Sequence, residues 1–373
     1  MAQLKERVLA TFLQGYPVLA EAKNYHGKWS YDFGVVLRGF QEEYRQTGKR
    51  EYFDYIQQTM DYFIQEDGSI KNYRFEAMNI DYVNNGKLLF LLYEKTGQEK
   101  YKLALDQLFA QLEAMPRTPE GGFWHKKIYP EQMWLDGLYM GAPFYAEYLV
   151  RFKGGAGLED VVRQFELCFE HARDPQTGLL YHAWDSARKQ PWANPETGCS
   201  PHFWGRSMGW YVMALVDVIE LLPVGDYRQR LAKILLAVMD ALFKVQDPVA
   251  KVWYQVLDEG TRHGNYLEAS GSSMIVYGLA KGLVLGVFTE EWQARLEESY
   301  TGLVEEFVLL GNDPGVHLIH NCEVAGLGGA DQRDGSFVYY VSEPIVTNDF
   351  KGLGAFLQAV IMMEQVERKA LHV

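Results

Sequence analysis

The chain has 373 residues, of which 48% are hydrophobic and 14% aromatic, enough to fill the core of one large domain. Its formal net charge of −13 at pH 7 would repel a phosphate backbone, which argues against nucleic acid as a partner. An anionic ligand would need a local Arg, Lys or helix N-terminus to hold its charge.

The N-terminal stretch, residues 1–19, mixes charged and apolar residues at helical spacing, and we therefore predict a helix and no secretory signal peptide there. No segment has the long apolar run of a membrane span. The three cysteines, Cys168, Cys199 and Cys322, are far apart and form no C-x-x-C pair. These features predict a protein of the reducing cytoplasm that does not bind a membrane.

Helical periodicity recurs along the whole chain in about twelve apolar stretches, whereas strand-like alternation is scarce. One motif repeats, because residues 44–52 (YRQTGKREY) resemble residues 93–101 (YEKTGQEKY). The Gly inside each copy would end one helix just before the next begins. The repeating unit is therefore predicted to be a helical hairpin, and about six hairpins would fill the chain. No linker divides the chain, so we predict a single domain over residues 1–373.

Six predicted helices share a polar residue near a glycine at their start. These pairs are Asp32 with Gly34, Asp81 with Gly86, Asp136 with Gly137, Arg206 with Gly205, Glu268 with Gly271, and Asp349 with Gly352. Six helices that begin at one end of a ring would direct these groups into a shared pocket. The aromatic-rich connections are predicted to be short extended loops at that end; they are residues 121–125, 178–182, 252–254 and 335–339. We predict an all-α (α/α)6 barrel, while an open solenoid of hairpins is the alternative.

The segment 121–140 (GGFWHKKIYPEQMWLDGLYM) is the richest in candidate catalytic side chains. Pro130 suits a helix start, and a helix from there would place Gln132 and Asp136 on one face. Asp136 follows Trp134, and an acid among apolar neighbours should have a raised pKa, as a general acid requires. The alternative is that Asp136 only caps or pairs within its helix.

A second acidic cluster contains Asp81, Asn84 and Asn85, followed by the apolar start of a helix. This pattern is typical of a pocket wall that is polar at its mouth. The alternative is that Asp81 forms an N-terminal cap on a buried helix.

A third cluster lies in residues 200–210, where Ser200 and Pro201 suit a helix start. That helix would hold Arg206 and Trp210 one turn apart. Arg206 offers a planar fork for a substrate carboxylate and Trp210 a face for a sugar ring. Arg206 could equally be a structural ion-pair partner.

His125 and His182 each end a loop after an aromatic residue, and both are predicted to hydrogen-bond substrate hydroxyls. The sequence contains no short-spaced set of His, Cys or carboxylate residues of the kind that binds a metal. It also lacks a phosphate-binding Gly loop, a dinucleotide motif and a nucleophile-elbow serine. We therefore predict neither a metal nor an organic cofactor.

Five segments together resemble the unsaturated rhamnogalacturonyl hydrolases, glycoside hydrolase family 105. They are GGFWH at 121–125, QMWLDGLYM at 132–140, YHAWD at 181–185, WANPETGCS at 192–200 and WGRSMGWY at 204–211. The resemblance implies an (α/α)6 barrel that removes 4,5-unsaturated galacturonate from the non-reducing end of pectin fragments. It implies that Asp136 is the general acid/base and that Asp81 is a second catalytic carboxylate of the pocket, which orients substrate hydroxyls or tunes the pKa of Asp136. It also implies a group of residues that line the sugar site: His125, Trp134, His182, Arg206 and Trp210.

The implied reaction differs from the two-carboxylate cleavage of a saturated glycoside. Asp136 would protonate C4 of the double bond and leave a cation at C5, which is attacked by water that the same carboxylate deprotonates. The hemiketal then opens and expels the remaining sugar. Residues 126–129 depart from the family loop, which leaves the preferred leaving sugar open.

Three other functions stay open at this point. They are an unsaturated glucuronyl hydrolase of glycosaminoglycan fragments, a non-catalytic helical sugar-binding scaffold, and an epimerase or glycosidase of saturated glycans. For the family-type enzyme we expect an unsaturated uronic-acid oligosaccharide as the partner, bound by a monomer or a weak homodimer.

Overall fold

The computed structural model describes residues 2–371, and helices dominate this range. Their bounds are Ala2–Gly15 (α1), Asp32–Thr47 (α2), Arg50–Asp61 (α3), Gly86–Thr96 (α4), Glu99–Ala114 (α5), Leu135–Phe152 (α6), Leu158–Ala172 (α7), Gly205–Leu221 (α8), Asp226–Lys244 (α9), Ala269–Val284 (α10), Gln293–Phe307 (α11), Phe337–Ser342 (α12) and Phe350–Leu371 (α13).

Short antiparallel strand pairs connect some of the loops between the helices. They are Gln132–Trp134 (β1) with Ala183–Asp185 (β2), Val308–Leu309 (β3) with His317–Leu318 (β4), and Asn321–Cys322 (β5) with Ile345–Val346 (β6). In the first pair, Gln132 lies opposite Asp185 and Trp134 opposite Ala183.

The helices form two concentric rings. Helices α2, α4, α6, α8, α10 and α13 each pack against the next, and α13 packs back against α2, which closes the inner ring. Helices α1, α3, α5, α7, α9 and α11 pack on the outside, one against each inner helix. The predicted (α/α)6 barrel is confirmed, and the open solenoid is wrong because α13 meets α2.

Two inner helices, α8 and α10, are buried almost entirely, because neighbouring helices surround them. Residues 205–219 of α8 and 269–282 of α10 are buried without interruption. Glycines let these two helices approach closely. A Cβ added at Gly209 would lie 2.7 Å from Cβ of Met274, so a larger residue there would force the helices apart.

The repeated motif forms the turn between an inner and an outer helix. Gly48 and Gly97 adopt left-handed φ values of 68° and 65°, which favour glycine. Their amides donate to the carbonyls of Tyr44 and Tyr93 at 2.8 and 2.9 Å. Each copy therefore ends one helix at its Gly, and the helical-hairpin unit is confirmed.

The connections that run from an outer to an inner helix are the long ones, and all of them enter the N-terminal end of the inner ring. They comprise residues 16–31, 62–85, 115–134, 173–204, 245–268 and 308–349. They form the wall of a bowl above the barrel axis. One predicted extended loop is wrong, since residues 337–342 form α12, with the Ser336 side chain accepting from the amide of Tyr339.

The predicted helix start at Ser200 and Pro201 is also wrong. Helix α8 begins at Gly205, because Trp204 is extended and Gly205 donates its amide to the carbonyl of Gln255 in the next connection. The amide of Ser200 is likewise used by a loop partner, the carbonyl of Ala183.

The three cysteines are buried free thiols. Among the helices described here, none combines the length and the apolar character that crossing a bilayer requires.

Candidate active site

Asp136 lies in the first turn of α6, at the bottom of the bowl. The helix begins at Leu135, whose amide donates to the carbonyl of His182, and not at Pro130. Gln132 belongs to strand β1, so the prediction that it shares a helical face with Asp136 is wrong. The Asp136 side chain is 14% exposed, which leaves it open to a ligand from the bowl.

His182 holds one oxygen of Asp136. Its Nε2 lies 3.2 Å from Oδ2 of Asp136, close enough for charge attraction, although the contact lacks hydrogen-bond alignment. That oxygen is fully buried, so Oδ1 is the one that faces the bowl. The other ring nitrogen, Nδ1, lies 2.8 Å from the hydroxyl of Tyr340.

The pKa of Asp136 is lowered in the free protein. Burial acts to raise this pKa. The charge of His182, its contact with the carboxyl, and the charge of His125 lower the pKa by more than burial raises it. The predicted rise was based on the apolar neighbours in the sequence and is wrong for this state. The two histidines that reverse the shift come from other loops of the bowl.

Asp81 occupies the next position around the bowl, in a 3-10 turn over Ile80–Val83. Its Oδ2 lies 2.7 Å from Nζ of Lys126, and its Oδ1 lies 3.5 Å from Nε2 of His125. Asp81 also lines a cleft of about 530 Å³ beside the bowl, together with Tyr31 and Tyr82. This position fits the pocket-wall interpretation of Asp81.

The neighbours predicted to share the Asp81 face have a structural role instead. Asn84 donates to the carbonyl of Tyr31 at 2.8 Å, and Asn85 donates to that of Ser30 at 2.9 Å. Both asparagines therefore join the starts of α2 and α4 and do not face a ligand.

His125 and Lys126 differ in charge. Burial lowers the pKa of His125 to about 4 despite the opposing charge of Asp81, so this imidazole is neutral near pH 7. Burial also acts to lower the pKa of Lys126, but the charge and hydrogen bond of Asp81 raise it overall, so the ammonium stays charged. Lys126 therefore brings a positive charge to the bowl.

Trp134 belongs to a cluster of parallel rings beside Asp136. Its ring lies 4.7 Å from that of His125 with an angle of 4°, and 5.0 Å from that of Tyr129 with an angle of 15°. The indole nitrogen donates to Oε1 of Gln132 at 3.0 Å. These contacts fix the orientation of Trp134 and leave 5% of the residue exposed.

Arg206 lies behind the wall of the bowl and is 1% exposed. Its Nε donates to Oγ of Ser270 at 2.8 Å, and its two terminal nitrogens donate to the carbonyls of Cys322 and Glu323. A guanidinium bound in this way has little left to offer a substrate carboxylate. The predicted substrate-binding role of Arg206 is not supported, and the structural alternative fits the contacts.

Trp210, one turn further along α8, is also 1% exposed. Its ring stacks on that of Tyr139 at 4.7 Å and meets the edge of Tyr31 at 6.4 Å. The stacking face predicted for a sugar is therefore occupied by protein, and Trp210 supports the site from below.

The remaining carboxylates at the inner helix starts are bound to protein groups. Glu268 caps α10 with both oxygens, accepting from two backbone amides of that helix at 3.1 and 2.6 Å. Asp32 and Asp349 both contact Nζ of Lys351, at 3.2 and 3.0 Å. Asp136 differs from these carboxylates, because its Oδ2 is buried without a hydrogen bond while the side chain is 14% exposed, which leaves Oδ1 as the oxygen that faces the bowl. Across residues 2–371, no three His, Cys, Asp or Glu side chains are grouped to hold a metal ion.

Three residues of the bowl were missed or left without a role by the sequence reasoning. Lys126 directly follows His125, and its position next to a predicted site residue could have indicated that it lies in the bowl. Tyr129 packs on Trp134, and Arg333 donates to its hydroxyl at 3.1 Å. Tyr340 reaches His182 across 158 residues of sequence, and no local pattern indicates such a contact.

Comparison with known proteins agrees with this geometry. The family model described as Glycosyl Hydrolase Family 88 matches residues 5–367. The 24.9 kDa protein in the picA locus of Rhizobium radiobacter is 36% identical over 230 residues, covering 59% of this chain and 96% of that protein. The unsaturated rhamnogalacturonyl hydrolase YesR of Bacillus subtilis is 28% identical over 266 residues, covering 67% of this chain and 70% of YesR.

A solved structure of a family 105 glycoside hydrolase from C. acetobutylicum ATCC 824 superposes with a TM-score of 0.93 at 50% identity. The alignment covers 97% of this chain and 99% of that one. The chain therefore belongs to the glycoside hydrolases that the family 88 model describes and, within them, to family 105.

Proposed function

We propose that the enzyme hydrates the C4=C5 bond of a 4,5-unsaturated galacturonate at the non-reducing end of rhamnogalacturonan fragments and thereby releases that residue. The observation that carries this proposal is the single free carboxyl oxygen, Oδ1 of Asp136, at the bottom of the bowl. A two-carboxylate glycosidase needs a second free acid or base, whereas Asp81 is paired with Lys126 at 2.7 Å.

One carboxyl suffices because the substrate is an enol ether. A proton moves from Oδ1 of Asp136 to C4, and the π electrons form the C4–H bond, which leaves a cation at C5 that the ring oxygen stabilises. Water adds to C5 and gives its proton back to Asp136. The resulting hemiketal opens and expels the next sugar, so one water is consumed and Asp136 returns to its protonated state.

Binding of the substrate favours the protonated form of Asp136 that the first step requires. Asp136 has a lowered pKa in the free protein because its contact with His182 outweighs the effect of burial. A bound uronate brings a negative charge close to Asp136 and displaces water from the bowl, and both effects favour the neutral acid. Protonation of Asp136 is therefore coupled to substrate binding.

Lys126 is the side chain we assign to the substrate carboxylate, in place of Arg206. The Lys126 side chain is 23% exposed and its ammonium is charged, whereas Arg206 is enclosed by protein partners. In a chain of net charge −13, such a local cation is what an anionic sugar needs. The exposed edges of the stacked His125 and Trp134 rings would meet the pyranose beside Asp136.

The choice of rhamnogalacturonan is supported by YesR, whose name states that activity, and by family 105 membership. The test uses the purified protein with a rhamnogalacturonan lyase digest, beside unsaturated disaccharides of sulfated glycosaminoglycans. We expect loss of ultraviolet absorbance, uptake of one water and a rhamnose-ended product from the digest. Faster kcat/KM on the glycosaminoglycan fragments would contradict the substrate assignment, and turnover of saturated glycans alone would contradict the reaction.

We also propose that the enzyme works in the cytoplasm as one domain, monomeric or weakly dimeric, on an unsaturated uronic-acid oligosaccharide. The three buried free cysteines support a reducing compartment. Sedimentation over a range of concentrations tests the assembly state.

A further inference from the structure

The short helix α12 brings a tyrosine hydroxyl to the far side of the histidine that faces Asp136. Tyr340 is fully buried, and its Oη lies 2.8 Å from Nδ1 of His182. The opposite ring nitrogen, Nε2, faces Oδ2 of Asp136 at 3.2 Å. The imidazole of His182 therefore lies between the two groups, hydrogen-bonded to Tyr340 and in close contact with Asp136.

The tyrosine is held from several directions. Its amide donates to the carbonyl of Ser336 at 3.1 Å, and its carbonyl accepts from Nε2 of Gln255 at 2.9 Å. The same glutamine accepts from the indole of Trp204 at 3.0 Å, and that indole stacks on the Tyr340 ring at 6.0 Å with an angle of 20°. These contacts therefore hold Tyr340 in one position beside the imidazole of His182.

The direction of the hydrogen bond follows from what surrounds the hydroxyl. Within the described chain, the hydrogen bond of Oη goes to His182 Nδ1, and a buried hydroxyl donates its hydrogen to an available acceptor. Nδ1 then carries the lone pair. In the neutral ring the hydrogen must be on Nε2, which points at the carboxylate of Asp136.

We propose that Tyr340 is a positioning residue for the hydration reaction, whose hydroxyl fixes His182 in the tautomer that presents Nε2–H to Oδ2 of Asp136. This inference rests on the proposed function of Asp136. Because Oδ2 is buried 3.2 Å from Nε2 of His182, the proton that is transferred resides on Oδ1, the oxygen that faces the substrate. Tyr340 would thereby select which oxygen of the acid reacts.

The charge on Asp136 also depends on its other ionisable neighbours, so the test must distinguish the effect of Tyr340 from the effects of those groups. The ionisable groups around the acid are His182, His125, Asp81, Lys126, Tyr31 and Tyr340. Replacing Tyr340 by Phe removes one hydroxyl and leaves the remaining groups in place.

The experiment compares Tyr340→Phe with Tyr339→Phe, a neighbour on the same helix whose hydroxyl accepts from the amide of Gly326 at 2.9 Å. Loss of a positioning hydrogen bond should lower kcat about three- to tenfold in Tyr340→Phe. A less ordered imidazole stabilises the ionised acid less, so the pKa of Asp136 rises and the basic limb of kcat/KM moves to higher pH. Tyr339→Phe should show neither change.

Nitrogen NMR of histidine-labelled protein reads the tautomer without any substrate, with His182→Gln supplying the assignment. We expect one Nε2–H tautomer for His182 in the wild type and a mixture in Tyr340→Phe. Unchanged His182 signals, or a lower kcat with an unmoved pH limb, would overturn the proposal and leave Tyr340 a packing residue. A wild type that fails to hydrate the unsaturated substrate would refute the proposed function alone, because the tautomer is measured separately.

Discussion

Replacement of Asp136 by Asn is the most direct perturbation of the proposed reaction. Asn keeps the size of the side chain and can still meet His182, but it carries no proton that can be transferred to C4. General acid–base catalysis by a positioned side chain contributes about 10²–10⁴-fold. Because Asp136 acts in both protonation and hydration, we expect kcat to fall by about 10³-fold or more, which corresponds to about 4 kcal/mol in the barrier.

Substrate binding should survive the Asp136→Asn change, because Lys126 and the ring cluster of His125 and Trp134 remain. KM should therefore change much less than kcat. The assay follows the ultraviolet absorbance of the unsaturated uronide and the mass of the products, and melting temperature reports whether the fold is intact. Asp240→Asn on the exposed side of α9 is the matched control. A folded Asp136→Asn enzyme that retains more than a tenth of the wild-type kcat would refute the reasoning.

Three further predictions follow from the same contacts. Because the pKa of Asp136 is lowered in the free enzyme and raised by the bound uronate, the basic limb of kcat/KM should lie at lower pH than that of kcat; coincident limbs in pH–rate profiles would contradict this coupling. Lys126→Met should raise KM by about ten- to a hundredfold with a smaller effect on kcat, since a charge-assisted hydrogen bond is lost, whereas Lys127→Met, at an exposed neighbour, should behave as wild type. Arg206→Gln should destabilise the fold by about 3–5 kcal/mol, because buried Glu268, 3.9 Å from the guanidinium, loses its cation; a normal melting temperature with a raised KM would restore Arg206 to substrate binding.

The ring of hairpins could be predicted from the sequence because its determinants are local. The motif around Gly48 and its copy around Gly97 each encode a helix end, and the apolar periodicity encodes the helices between them. The prediction that the ring closes depended on one further pattern, the polar residue near a glycine at the start of each inner helix. Closure follows physically from contact between α13 and α2, which are distant in sequence.

The helix starts beside the site could not be predicted because tertiary pairing overrides local propensity. Pro130 and Pro201 both suit a first helical turn, yet strand β1 follows one of them and an extended loop follows the other. The amide of Ser200 donates to the carbonyl of Ala183, and residues 132–134 pair with residues 183–185, so both segments are bonded to the same loop. The predicted starts of these two inner helices were therefore displaced by several residues along the chain.

The roles of the site residues likewise depend partly on residue type and partly on tertiary packing. Asp136 could be selected because its acid lies in an aromatic segment, whereas its charge state depends on His182, which comes from another loop. Arg206 and Trp210 have side chains suited to a uronate, but both are turned into protein contacts. Residue type indicated the chemistry available to each side chain, whereas packing determines which side chains can contact a substrate.

The lowered pKa of Asp136 is compatible with an acid catalyst once the charge of the substrate is included. In the free enzyme the contact with His182 outweighs burial and favours the ionised carboxylate, which also lies at the positive end of α6. A uronate that reaches Lys126 adds a second negative charge beside Asp136, and two close carboxylates cannot both stay ionised without cost. The proton is therefore taken up when the substrate that needs it is present. An enzyme with one free carboxyl can in this way carry out both proton transfers without a permanently raised pKa.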